Sequence, residues 1–171
     1  MRKKSREMSS EWALSVMDAA PYMTMSVVMP DGSAYGIPLS LARVDESTFY
    51  FHGALEGDKL EAIKVHPKVC LSAVTKCKPI VGPKDGSFTL EYHSAIAFGI
   101  AEIVGEIDEK IKGLRAICER FLPHHMDSFD LAIARSLSRT VVVRIKLLAP
   151  PTGKRKQYDS NGVEMKYQRM E

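Results

Sequence analysis

From Phe88 to Ile100 the chain keeps a period of two without a break. Phe88, Leu90, Tyr92, Ser94, Ile96, Phe98 and Ile100 share one face, while Glu91, His93, Ala95, Ala97 and Gly99 share the other. Only an extended strand puts every second residue on one side; a helix scatters such a pattern around its axis. A strand this long usually bends, and Gly99 is the expected place, which suits a barrel.

The neighbouring segments repeat the pattern on a smaller scale. Met23, Met25, Val27 and Met29 alternate up to the turn Pro30-Asp31-Gly32, and Tyr35, Ile37, Leu39 and Leu41 alternate on the way back. Pro38 has no amide hydrogen, so this returning strand belongs at an edge or carries a bulge. The small face of Gly36, Pro38 and Ser40 either leaves room for a flat ligand or only protects that edge. Val69, Leu71 and Ala73 mark another strand, and Val141, Val143, Ile145 and Leu147 the last one. The Pro-, Gly- and Lys-containing stretch from Lys76 to Gly86 reads as a surface loop.

Helical spacing is confined to a few places. Ser10 is placed to cap a helix burying Ala13, Val16, Met17 and Ala20, which Pro21 ends. Asp108 opens a helix with Ile111, Leu114, Ile117, Cys118, Phe121 and Leu122 on one stripe, stopped by Pro123. Phe129, Ala132, Ile133 and Leu137 suggest one more. The reading is an α+β, mainly β domain: an antiparallel, closed or nearly closed barrel with peripheral helices.

At 171 residues, 45% hydrophobic and 26% charged, the chain has the size and composition of a single folded domain over 1–171. A basic N-terminal arm (1–9) and a C-terminal tail (150–171) flank it, the tail carrying Lys154-Arg155-Lys156. A net charge of +3 is too small to argue for nucleic acid, and that basic run fits a solvated or subunit-contacting tail. No apolar run is long enough for a bilayer, and Met1 to Met8 lacks the apolar segment of a secretory signal, so no membrane and a cytoplasmic setting are expected. Cys70, Cys77 and Cys118 have no metal-ligand spacing, and the adjacent His124 and His125 point apart. No metal is expected.

Chemistry concentrates between Thr48 and Lys59. Phe49 and Phe51 alternate with Tyr50 and His52, Gly53 and Gly57 bracket a short loop, and a helix begins with Lys59 in its first turn. A helix N-terminus offers unpaired N–H groups and partial positive charge. With the Lys59 ammonium and the His52 imidazole added, it becomes a phosphate pocket. Asp58 and Glu61 fit a capping-box variant equally well, which would leave Lys59 a solvated surface residue.

The segments Tyr35-Gly36-Ile37-Pro38-Leu39-Ser40, Phe49-Tyr50-Phe51-His52-Gly53-Ala54, Gly57-Asp58-Lys59-Leu60, His66-Pro67-Lys68-Val69 and Tyr92-His93-Ser94-Ala95-Ile96-Ala97-Phe98-Gly99 occur in a familiar order. In that order and spacing, from about Ala13 to Thr152, the chain resembles the flavin-binding split-barrel proteins related to pyridoxamine 5′-phosphate oxidase, within them the nitroimidazole-resistance (Nim-type) branch. The resemblance implies a homodimer with flavin mononucleotide (FMN) at the subunit interface. It assigns Pro38, Leu39, Ser40 and Leu41 to the isoalloxazine ring, and His52, Lys59 and Ser94 to the phosphate and ribityl region. Gly53, Ala54 and Gly57 belong to the same cofactor loop. Relatives often carry arginine where this chain has His93 and valine where it has Ala95.

FMN would bring the redox chemistry, with a nicotinamide donor and a small-molecule electron acceptor such as a nitro-aromatic compound. No nucleophile–base pair stands out, and His52 is the one side chain that could also contact the substrate side. A non-enzymatic FMN carrier or sensor, and a haem-binding split barrel with His52, His93, His124 or His125 as axial ligand, are the alternatives. The basic substrate-phosphate cluster of true pyridoxamine phosphate oxidases is absent from the sequence.

Overall fold

The computed structural model describes residues 2–81 and 86–166. Nine strands among these residues join in one antiparallel sheet: β1 (Glu7–Met8), β2 (Met23–Val28), β3 (Ala34–Leu39), β4 (Ala42–Arg43), β5 (Thr48–Gly53), β6 (Lys68–Val81), β7 (Phe88–Ile103), β8 (Val141–Leu147) and β9 (Thr152–Lys156). Four α-helices accompany them: α1 (Ser10–Ala19), α2 (Asp58–Val65), α3 (Ile107–Phe121) and α4 (Phe129–Ser136). The main path runs β3-β2-β6-β7-β8-β5-β4. This is the split-barrel architecture, mostly antiparallel with peripheral helices.

The barrel is not closed. β3 and β4 remain the two ends of the path, β3 carrying the donor-less Pro38 and β4 only two residues long. The sheet nevertheless wraps one core, since inward residues from β2, β6, β7, β8 and β5 pack in a single cluster with α1 and α2. The split lies along β7. Its Tyr92–Ile96 segment pairs with β9, and its Gly99–Ile103 segment with β8. Gly99 therefore sits where the pairing partner changes, while the register irregularity falls on β6, between Val74 and Lys76.

Three boundaries differ from the sequence reading. Ser9, not Ser10, caps α1, its hydroxyl accepting from the Trp12 N–H. Lys76–Val81 is strand rather than loop, because its backbone pairs with Phe88–His93 while Lys76 pairs with the buried Glu91 at 3.0 Å and Lys78 is exposed; Gly82–Asp85 lie outside the described residues. The tail is strand too. β9 adds to β7, β1 adds to β9, and the Arg6 guanidinium grips Glu164, fastening arm to tail. Tyr167–Glu171 lie outside the described residues.

A second apolar cluster forms on the other side of β5 and β8, where Ala42, Tyr50 and Val142 meet Leu114, Ile117 and Phe129 from α3 and α4. Among the described residues no helix is long and apolar enough to cross a membrane.

Candidate functional site

The phosphate-pocket expectation rests on how α2 begins, and its start is backbone-made. The N-cap is Gly57 at φ +128°, a conformation that side-chain-bearing residues rarely adopt. No side-chain hydrogen bond caps the helix, and Glu61 turns forward to Lys64 (2.7 Å) instead of back. The capping-box reading of Asp58 and Glu61 is thus replaced by a turn in which the Leu60 and Glu61 N–H groups donate to the Gly57 carbonyl and those of Asp58 and Lys59 stay open among the described residues, with the partial charge of the helix behind them.

Lys59 lies over the end of β5. A Cβ built on Gly53 would meet Lys59 Cε at 3.1 Å and Nζ at 3.3 Å, so Gly53 makes room for the lysine on the strand. One open helix start, one ammonium and one bare backbone position converge there. His52 points to the opposite side of β5, exposed next to Val142 in register. Local desolvation pushes its imidazole below the ordinary histidine pKa, which favours the neutral ring near pH 7. Ala54 is exposed in the same loop.

The other expected residues lie on the sheet. Inward positions of β2, β3, β6 and β7 pack in the core, so Thr24, Ser26, Gly36, Pro38, Cys70, Ser72, Val74, Ser94, Ile96 and Phe98 share the outward face. Their register is a grid. Pro38 lies opposite Thr24, Thr24 opposite Ser72, and Ser72 opposite Ile96. One row over, Gly36, Ser26, Cys70 and Phe98 line up in the same way. On the far side Ser94 faces Val74 and Lys154. The result is a shallow floor of small side chains, walled by Pro38 at one edge and by Phe98 and Ile96 at the other.

Leu39 packs toward the core and Leu41 is fully buried, so of the four ring-side residues only Pro38 and Ser40 present side chains outward. The floor is not enclosed within one chain. Among the described residues, three cavities of about 530, 700 and 510 Å³ are lined by other residues, without Lys59, His52, Pro38 or Ser94.

Other polar residues are placed by contacts distant in sequence. Lys154 stands beside Ser94 on the outward face, its ammonium 5.4 Å from the Tyr92 ring centre. Burial pushes the Tyr92 phenol up, but Lys154 and Arg6 outweigh it and hold the pKa below the ordinary tyrosine value. Arg120 of α3 donates to the carbonyls of Leu41, Met17, Asp18 and Ala20, tying the chain after β3 to the end of α1. His93 faces inward, edge-on to Trp12 at 5.4 Å, with its Nε2 buried and unpartnered among the described residues. His124 and His125 are exposed on a 3₁₀ turn before α4, and no cluster able to hold a metal occurs among the described residues.

The sequence model of a family described as pyridoxamine 5′-phosphate oxidase matches residues 9–152. The chain belongs to that family, as a split-barrel member of the pyridoxamine 5′-phosphate oxidase-like kind. Among solved structures it is similar to a Bacteroides thetaiotaomicron protein described as a candidate 5-nitroimidazole antibiotic resistance protein, with TM-score 0.71, 18% identity, and coverage of 86% of this chain and 85% of that one. It is similar to an FAD- and haem-binding protein of Mycobacterium smegmatis, with TM-score 0.76, 22% identity, and coverage of 88% and 73%. It is also similar to a flavocytochrome of Azotobacter vinelandii, with TM-score 0.75, 19% identity, and coverage of 95% and 80%. No curated protein sequence matches the chain.

Proposed function

We propose that this chain is a flavoprotein that holds FMN between two copies of itself and passes electrons from a nicotinamide donor to a small-molecule acceptor. The observation that carries the reading is the Lys59 ammonium laid over Gly53 at the open start of α2. A dianionic phosphate needs a cation and aligned N–H donors; Lys59 and the uncapped helix start offer both, with Asp58 and Glu61 the acidic groups of the same turn. The residues fit the group.

In this reading Lys59 and the first turn of α2 hold the phosphate. Ser94 and Lys154 lie toward the ribityl chain, and the small floor beside Pro38 takes one face of the ring. Gly53, Ala54 and Gly57 keep the loop low and the helix start open. His52, neutral near pH 7, offers a donor or acceptor to the substrate side without adding charge. FMN, when bound, supplies hydride acceptance and electron transfer singly or in pairs. The chain's own tasks are to neutralise the phosphate, exclude water from one ring face and leave the other face open to substrate. The three relatives, described as a nitroimidazole-resistance candidate, an FAD- and haem-binding protein and a flavocytochrome, agree with a redox setting. Reduction of nitro-aromatic compounds is the acceptor class proposed.

The second copy is proposed from the outward face of the β6–β7 hairpin. On β7 Phe98 is 54% and Phe88 77% exposed, and on β6 Val74 is 53% exposed, so large apolar side chains stand outward along the 16-residue strand and its neighbour. One strand presenting such a stripe pairs naturally with itself about a two-fold axis, and the partner would roof the shallow floor.

The direct test is FMN titration of the purified protein and its Lys59→Ala variant, followed by flavin fluorescence. Removing one charge-assisted contact should weaken binding by about 1–3 kcal/mol. Equal affinities would take Lys59 out of the phosphate site. Parallel titration with FAD reports whether the floor accepts the larger cofactor.

A further inference from the structure

A second charged site lies on α3, away from the proposed flavin floor. Lys112, Arg115, Ala116, Glu119 and Arg120 recur at helical spacing and form a stripe beside the apolar one that packs on β5 and β8. That stripe meets Arg43 and Val44 across a cavity of about 510 Å³. Four cations line it, with Glu119 the one carboxylate among the lining residues.

The cations are not quenched equally. Arg43 is paired with Asp18, which lies outside the lining. Arg115 stacks over Phe129 at 4.2 Å and reaches the almost fully exposed Asp130 only at 3.7 Å. Lys112 is exposed and enters no ion pair among the described residues. Arg120 is held by four main-chain carbonyls and no carboxylate, so its net charge stays in place beside Arg43. Burial lowers the Arg120 pKa; Asp18 opposes this and Arg43 adds to it. Arg120, Lys112 and Arg115 together outweigh Glu119, and this excess positive charge gains from an anion that enters the cavity.

We propose that this cavity binds a small phosphate-bearing anion, the class to which pyrophosphates and nucleotide phosphates belong. Arg115 presents paired N–H donors matched to phosphate oxygens and Lys112 adds a flexible point charge, while Arg120, its donors engaged by main-chain carbonyls, contributes net charge. The volume suits a small-molecule ligand, and Val44 and Ala116 give it a short apolar wall. The site does not depend on the flavin reading, since none of its residues belongs to the Lys59 pocket or to the sheet floor.

The test is calorimetric titration of the full chain with inorganic pyrophosphate at low salt. It is run on the wild type, on Lys59→Ala and on the double variant Lys112→Ala/Arg115→Ala. Both substituted side chains of the double variant are solvent-facing, and circular dichroism checks that it folds. The expected result is saturable binding in the wild type, retained in Lys59→Ala and weakened at least tenfold in the double variant. Glu119→Gln should bind more tightly than the wild type. Absence of saturable binding, or equal affinity in the double variant, overturns the proposal. Loss in Lys59→Ala alone would mean that pyrophosphate reads the helix start of α2 instead. Citrate binding as tightly as pyrophosphate would overturn the assignment to phosphate chemistry.

Discussion

β7 carries small residues inward and large ones outward. Ala95, Ala97 and Ala101 are buried against α1 and the opposite strands, while Ile96 and Phe98 on the same strand stand 42% and 54% exposed. The inward side has to be small because a helix and several strands converge on it. Among the described residues the outward side carries exposed Ile96 and Phe98 along the stretch paired with β6. Large apolar residues in that position are costly to leave in water, which is the physical ground for reading the face as covered in the working molecule. Burial within one chain and residue size are therefore separate signals.

The comparison can be broken by substituting one residue on each side. Phe51, inside the core, is 1% exposed. Phe51→Ala should cost about 3–5 kcal/mol of folding stability, read from urea or thermal unfolding. A loss below about 1 kcal/mol would mean that the core tolerates the cavity. Phe98→Asp should leave the fold intact but weaken self-association by about 2 kcal/mol or more, as for a central anchor of an interface. Light scattering across a dilution series reads this directly. A dimer that survives Phe98→Asp unchanged, or a wild type that is monomeric with flavin bound, would detach the outward face from assembly.

The smallest expected effect is on pH dependence. His52 and His93 both have pKa values lowered in the fold, His52 by desolvation, and His93 by desolvation and then by Arg155 and Lys76. Gln157 and Glu91 oppose the His93 shift without reversing it. As pH falls below the ordinary histidine value of about 6.5, the unfolded chain takes up protons before the folded one does. Stability should be full above that region and decline as pH falls toward the folded values. Trp12 is the single tryptophan and touches His93, so its fluorescence should change in the same acid range. A flat profile between pH 7.5 and 5 would show that neither imidazole is shifted.

The alternation in Phe88–Ile100 was readable as a strand, but its direction was not, because either face could have been the core. Edge placement of β3 followed from Pro38 alone. The strand–loop–helix at His52–Lys59 was legible from Gly53, Gly57 and the helical spacing beyond them, yet the capping residue was not. Asp58 is a good cap by type, and only the φ of Gly57 displaced it. The strand character of Lys76–Val81 was hidden by Lys76, Lys78 and Pro79, residues that a solvent-flanked ribbon tolerates and a loop prefers. Arg120 was not legible, and Lys154 was read only as part of a basic tail, for a different reason. Their roles depend on carbonyls and strands far away in sequence, and no local pattern records such meetings.

The central claim is that the Lys59 pocket and the outward floor hold a flavin that works as an electron carrier. The most direct measurement is the visible absorption spectrum of the protein, purified or reconstituted with FMN, before and after anaerobic addition of reduced nicotinamide cofactor. The account predicts a two-banded flavin spectrum that bleaches on reduction. No flavin bands after reconstitution, or a single intense Soret band in their place, would contradict it.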